Sequence, residues 1–284
     1  MPFGFTAGFF FADLGLIGFT GGGGRLGGRL SGRVGAREGV SSGVCPSTRP
    51  AAPLELACGS GRVTFTLATA MPTVDIVGVD SSIEMLDQAT KLRDAAEPGV
   101  AGRVSLVEGD MRDWTGTGQP FDAVIIPCCA VSHLLTTDDR CRTWATAFRL
   151  LRPGGVFILD VRVPDLATLA EAQRVRPRAF VELDIDATRH TAKEKARLLR
   201  CTATTYEPHL QRADVRLLYD LFDRTELAER FVTDYANHIY FPAELELLFR
   251  SSGFDIAHQF GDYRLVPFDR TSPFLVTVAR RSLV

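Results

Sequence analysis

The chain has 284 residues, of which 45% are hydrophobic and 23% charged, and a formal net charge of −2. That size suits one large domain, or one domain carrying an insertion. The near-neutral balance offers no basic field for nucleic acid or an anionic membrane, so a small molecule is the expected partner. The six cysteines form no C-x-x-C pair and no His/Cys cluster at zinc spacing. They read as reduced thiols of a cytoplasmic protein, with no metal site.

Residues 1–50 differ from the rest: fourteen of the 26 glycines fall within the first 43 positions, including Gly21 to Gly24. An interrupted apolar stretch, Phe3 to Phe19, lacks the positive flank of a signal peptide and falls short of a clean membrane span. Arg25, Arg29, Arg33 and Arg37 recur at helical spacing, but glycine at this density opposes a helix. The segment is expected to be a disordered, atypical tail, and residues 51–284 to be the functional domain.

From Leu54 the pattern is regular. Pro53 to Ala57 predicts a first strand, Arg62 to Ala70 a short helix, and Val74 to Asp80 a buried strand ending in an acid. A Ser-type cap at Ser81-Ser82 opens the next helix. Val104 to Val107 and Phe121 to Pro127 predict two further strands. Asp138 to Leu151 predicts a helix, Arg152 to Gly155 a turn, and Val156 to Asp160 a fifth strand. Strands alternating with helices of this length imply right-handed βαβ units and a doubly wound α/β fold. After Val161 the pattern turns polar and alternating, over 179–187, 197–206, 212–223 and 229–240, with a turn at Glu207-Pro208-His209. Residues 161–240 therefore read as an antiparallel β insertion, a lid or a homodimer surface. An amphipathic helix from Pro242 to Ser252 and strands at Phe254 to Phe260 and Phe274 to Val278 complete the chain.

The chemistry is concentrated at Leu54-Glu55-Leu56-Ala57-Cys58-Gly59-Ser60-Gly61-Arg62. A strand that stops on two glycines lets a ligand approach the backbone, and the helix behind it aims free N–H groups at that ligand. A dinucleotide fingerprint would need a third glycine where Thr64 stands. Glu55 inside the first strand could face a positive amino group. Asp80 sits where a ribose-binding acid belongs, and Asp110 directly follows the third strand. With the terminal pair of strands, these features point to S-adenosylmethionine as cofactor. Taken singly, Asp80 could instead be a helix N-cap, Asp110 a turn cap and Met85 simple core.

These stretches resemble the class I S-adenosylmethionine-dependent methyltransferases. Leu54 to Arg62 looks like the first motif, Asp80-Ser81 with Met85-Leu86 the second, and Glu108 to Asp113 the third. Leu151-Arg152-Pro153-Gly154-Gly155 resembles the turn before the fifth strand. The block from Phe241 to Tyr263 is similar to small-molecule and peptide-amine methyltransferases of bacterial secondary metabolism. The resemblance implies a seven-stranded, mostly parallel sheet whose last strand is antiparallel. It also implies that the backbone at Ala57, Gly59 and Gly61 wraps the methionine part of the cofactor, with Glu55 supporting its ammonium. Asp80 would accept the ribose hydroxyls, and Ser81 and Met85 would flank ribose and adenine. Asp110 would accept the adenine amino group over Met111, and Pro127 and Cys128 would lie near the sulfonium.

The expected reaction is methyl transfer to a nitrogen or oxygen of a small molecule, in which an alcohol needs a proton acceptor within reach. His133, after the fourth strand, is one candidate, although it could instead cap its loop or the following helix. His238 and Tyr240 share a face by period-2 alternation and are the others; Tyr206, His209 and Tyr263 are further candidates. Pro127-Cys128-Cys129-Ala130 is unlike the Asn/Asp-Pro-Pro-Tyr/Phe loop of adenine-N6 methyltransferases. Two other readings stay open at this level. Residues 1–50 do not resemble the helices that close the site in related families, so the chain could bind the cofactor with little transfer. A nicotinamide oxidoreductase is opposed by Thr64, Glu55 and Asp110.

Overall fold

The structure, a computed structural model, describes residues 52–116, 118–172, 179–186, 196–223 and 226–283. The tail expected over 1–50 lies outside the described residues.

The first half alternates as its periodicity predicts: β1 (Pro53–Leu56), α1 (Arg62–Ala70), β2 (Ile76–Asp80), α2 (Ile83–Asp94), the single turn α3 (Pro98–Ala101) and β3 (Val104–Glu108). Then come β4 (Phe121–Ile126), a 3₁₀ turn (Ala130–His133), α4 (Thr137–Leu150), β5 (Leu151–Arg162) and α5 (Leu166–Ala172). Four long strands follow, β6 (Ala179–Asp186), β7 (Ala196–Glu207), β8 (Arg212–Asp223) and β9 (Glu226–His238). The chain closes with α6 (Pro242–Ser251), β10 (Phe254–Phe260) and β11 (Phe274–Arg281).

Seven strands form one sheet in the order β10-β11-β5-β4-β1-β2-β3. β1 to β5 are parallel, and β11 runs antiparallel between β5 and β10. β1 and β4 are buried almost throughout, as strands covered on both faces must be. One face packs Trp144 of α4 and Phe249 of α6 against Phe157 and Phe254, with Trp144 5.6 Å from both Phe157 and Phe249. The other face packs Phe65 and Leu67 of α1 against Ile76, Ile125 and Val278. Burying a side chain such as Phe157 contributes about 1.5–3 kcal/mol.

Leu151 to Gly155 differ from expectation. They are not a free turn but the start of β5, in which the register jumps from Phe121↔Leu151 to Ala123↔Val156. The extra residues bulge out, and Gly154 takes the left-handed conformation at φ 74° that such an irregularity requires.

β6, β7, β8 and β9 form a separate antiparallel sheet in that order. The β7–β8 connection, foreseen at Glu207 to His209, is a 3₁₀ turn over Pro208–Leu210. The end of this sheet is tied to the main one by the Tyr240 hydroxyl, which donates to Val131 O at 3.0 Å, while Ile239 N–H donates to Gln211 O at 2.7 Å within the layer itself.

Candidate active site

The chain steps from β1 to β2 and β3 on one side, then returns to place β4 on the other side of β1. Open α/β sheets bind ligands at the carboxyl ends of the strands beside such a reversal. The glycine turn stands there. Ala57, Gly59 and Gly61 all have positive φ, at 59°, 55° and 79°. A Cβ on Gly61 would lie 2.7 Å from the Phe65 ring, so packing as well as conformation demands glycine. A Cβ on Gly59 would meet nothing within 4 Å, which leaves open space beside the turn. Gly61 is the N-cap of α1 and supplies no side-chain cap, so N–H groups of the first turn stay available for a ligand.

Asp80 ties this turn to α2. One carboxylate oxygen accepts Gly59 N–H at 2.7 Å, and the other accepts Ser82 N–H at 2.9 Å. Each oxygen keeps a lone pair for a further donor or hydroxyl. The N-cap of α2 is Ser82, whose Oγ accepts Met85 N–H at 3.2 Å, so Asp80 is not spent on capping. Ser81 and Met85 are exposed, which removes the core reading of Met85.

Glu55 and Asp110 lie where predicted along the chain but are engaged otherwise. Glu55 is 1% exposed, and Thr64 Oγ1 donates to its Oε2 at 2.5 Å. Burial, reinforced by the Asp80 charge, pushes its pKa up to about 8 against the opposing Thr64 hydrogen bond. A buried acid held in this way braces β1 against α1. Thr64, which had served only to mark a missing glycine, is its partner. Asp110 is bound by both forks of the Arg112 guanidinium, and Arg112 also reaches Asp139 at 3.0 Å. That pairing holds the Asp110 carboxyl below its ordinary range. Met111 is half-buried and packs against the core.

Beyond β4 a cavity of about 510 Å³ opens. Its floor is the turn after Pro127, where Cys128 and Cys129 both have positive φ, at 61° and 58°. Two successive non-glycine residues in this conformation are unusual and need support. Asp160, 2% exposed on β5, supplies it: its Oδ2 accepts Cys129 N–H at 3.0 Å, the Cys129 thiol at 3.1 Å and the Tyr263 hydroxyl at 2.8 Å. Burial pushes the Cys128 and Cys129 thiols up, and the nearby Asp160 charge adds to it, so neither is a thiolate at neutral pH. Arg62, the first residue of α1, donates to Cys128 Sγ at 3.4 Å and so joins the glycine turn to the cavity.

The opposite wall comes from β9. His133 and Tyr235 meet edge to face at 6.2 Å. His238 lines the cavity at 3% exposure, and its Nε2 lies 2.8 Å from Glu244 Oε1. Its buried Nδ1 has no hydrogen-bond partner among the described residues. Glu244 is held in turn by Gln211 at 2.9 Å and faces the buried Arg140. Of the three leading candidate proton acceptors, His133 and His238 thus reach the cavity, as does Tyr263 among the further ones, its hydroxyl donated to Asp160. Tyr240 does not: its ring is 2% exposed beside Trp144, its hydroxyl is spent on Val131 O, and burial pushes its pKa far up.

Among the described residues no helix is long and apolar enough to cross a membrane, and no group of three or more His, Cys, Asp or Glu could hold a metal.

Comparison with known proteins bears on the domain and the fold. Residues 54–155 match the methyltransferase domain family. The trans-aconitate 2-methyltransferase of Streptomyces avermitilis is 31% identical over 170 residues, which cover 56% of this chain and 60% of the relative. The glycine/sarcosine N-methyltransferase of Aphanothece halophytica is 35% identical over 114 residues, 40% of this chain and 41% of the relative. The chain thus spans about half the length of the curated relatives it matches. Among solved structures, the CcbJ methyltransferase of Streptomyces caelestis superposes with a TM-score of 0.66 at 24% identity, covering 83% of this chain and 84% of that one. The amino pentose methyltransferase CalS10 of Micromonospora echinaspora, determined with S-adenosylmethionine bound, gives 0.61 at 22% identity, covering 83% and 85%. At these identities the likeness is one of fold.

Proposed function

We propose, from a chain that carries a methyltransferase domain within the class I methyltransferase fold, that it transfers a methyl group from S-adenosylmethionine to a nitrogen or oxygen of a small molecule. The observation that carries this reading is the pairing of Asp80 with Gly59. A carboxylate with spare lone pairs and a turn with open space beside it meet at the reversal of strand order.

The residues present fit the cofactor. Asp80 would hold the ribose hydroxyls, and the backbone of Ala57, Gly59 and Gly61 the amino-acid end, beside the first turn of α1. Ser81 and Met85 would flank the ribose and adenine. Met111 would border the adenine, with Asp110 reaching it only if Arg112 shares the carboxylate. Pro127 and Cys128 would border the methyl group. Glu55 supports the turn from beneath through Thr64. The bound cofactor supplies an electrophilic methyl group for in-line displacement, and the protein supplies alignment and a dry pocket.

The acceptor would occupy the cavity beyond Cys128. There His238 has the attributes of a general base. With Nε2–H donated to Glu244, the ring is fixed in the tautomer whose Nδ1 carries a lone pair. That nitrogen is buried, so it would take the proton that an alcohol or amine loses on methylation from an acceptor packed directly against it. His133 is the second candidate. The four-stranded layer spanning β6 to β9 would act as the acceptor-side lid, and its outer strand β9, with Leu227, Phe231 and Val232 exposed, is where a homodimer contact would form. The five described cysteines are free, which supports a cytoplasmic setting.

Calorimetry with S-adenosylhomocysteine and with NAD tests the reading. Binding of the former alone is expected; binding of NAD alone would overturn it. Turnover with labelled S-adenosylmethionine, measured separately, distinguishes an enzyme from a chain that only binds.

A further inference from the structure

The charge lining the cavity is one-sided. Two guanidinium groups, Arg62 and Arg162, border it, and among the described residues no aspartate or glutamate does. Arg162 ends β5, opposite Phe274 of β11, and its guanidinium carbon lies 5.2 Å over the Phe274 ring. That cation–π contact holds the group near the ring but satisfies none of its N–H donors. Among the described residues no carboxylate pairs with it. Asp160, two residues earlier on the same face of β5, is 2% exposed and already accepts Cys129 and Tyr263. Asn237 and Ser132, also on the lining, add neutral polar groups.

We propose that the methyl acceptor carries an anionic oxygen group, carboxylate or phosphate, and that Arg162 binds it. This rests on the methyltransferase reading and narrows its substrate class. A guanidinium anchored beside an aromatic ring presents a fork that matches two oxygens of a carboxylate or phosphate. Arg162 is exposed, so water solvates it and an anion has only to displace that water to pair with it. The same lining disfavours an acceptor recognised by its own positive charge, which would need an acid on the wall. A volume of about 510 Å³ fits a small metabolite.

The test titrates citrate, inorganic diphosphate and ethanolamine into the full chain by calorimetry, with and without saturating S-adenosylhomocysteine. Citrate or diphosphate is expected to bind, and whichever binds tells carboxylate from phosphate recognition. Arg162→Gln should weaken that binding at least tenfold and leave S-adenosylhomocysteine affinity unchanged. Arg162→Lys, which keeps the charge and loses the fork, should fall between. Binding of neither anion, preference for ethanolamine, or undiminished anion binding by a folded Arg162→Gln protein would overturn the proposal. Failure of S-adenosylhomocysteine to bind would strike the methyltransferase reading instead, while titrations without it still report on Arg162.

Discussion

His238 Nε2 lies 2.8 Å from Glu244 Oε1, across the bend that leads from the end of β9 into the first turn of α6. Burial alone would push the Glu244 carboxyl up. The hydrogen bonds from His238 and Gln211 and the charge of Arg140 outweigh it, so the net shift is downward and the group stays ionised. An ionised, immobile carboxylate is what an orienting partner of a buried histidine must be.

His238→Ala should therefore lower kcat on the order of 10²-fold or more while S-adenosylhomocysteine affinity changes little. Glu244→Gln should lower kcat by less and change the pH profile. An amide can still meet the ring but no longer stabilises the charged imidazolium. Steady-state kinetics over a pH series checks both. An unaltered rate in His238→Ala would leave His133 as the base to examine by the same substitution.

Asp80→Ala should weaken S-adenosylhomocysteine binding by about 1.5–3 kcal/mol, the scale of a hydrogen bond to a charged group. It should also release Gly59 N–H and Ser82 N–H. Calorimetry reads the first effect, and faster amide exchange at those two residues reads the second.

Glu55 should make stability depend on pH in the alkaline direction. Its folded pKa is raised from 4.5 to about 8, chiefly by burial. Between those values the native state keeps a proton that the unfolded state has lost, so stability falls as pH rises. Urea unfolding from pH 4.5 to 8 should show this decline, and Glu55→Gln, which cannot ionise, should flatten it.

Tyr240→Phe should cost about 1–2 kcal/mol of stability, because Val131 O loses its donor in a buried setting. It should leave kcat unchanged, since the hydroxyl never reaches the cavity. Denaturation and kinetics on one preparation decide between this and a catalytic tyrosine.

What the sequence made legible was local. The glycine turn and Asp80 sit in short runs whose strand–turn–helix context is carried by neighbouring residues. The main sheet follows from periods of 2 and 3.6. What escaped was assembled over distance. Asp160 meets Tyr263 across 103 residues, and Tyr240 meets Val131 across 109. The alternation that put His238 and Tyr240 on one face was correct in that their rings meet at 4.6 Å. It could not show that β9 ends at His238, so that the next side chains turn into the core. Arg112 lay in plain view two residues after Asp110, but nothing in the sequence marks a guanidinium that folds back on its neighbour.

The cavity draws its walls from two sheets. Cys128, Cys129 and Arg162 come from the seven-stranded sheet and its loops, and Tyr235, Asn237 and His238 from the four-stranded one. The glycine turn, Asp80 and the strands that carry them belong wholly to the first. Side chains on β9 can therefore be exchanged without touching the hydrogen bonds that shape the turn. A library randomised at Tyr235 and Asn237 alone would search for new acceptors against an unchanging donor half, making this chain a natural chassis for retargeted alkylation.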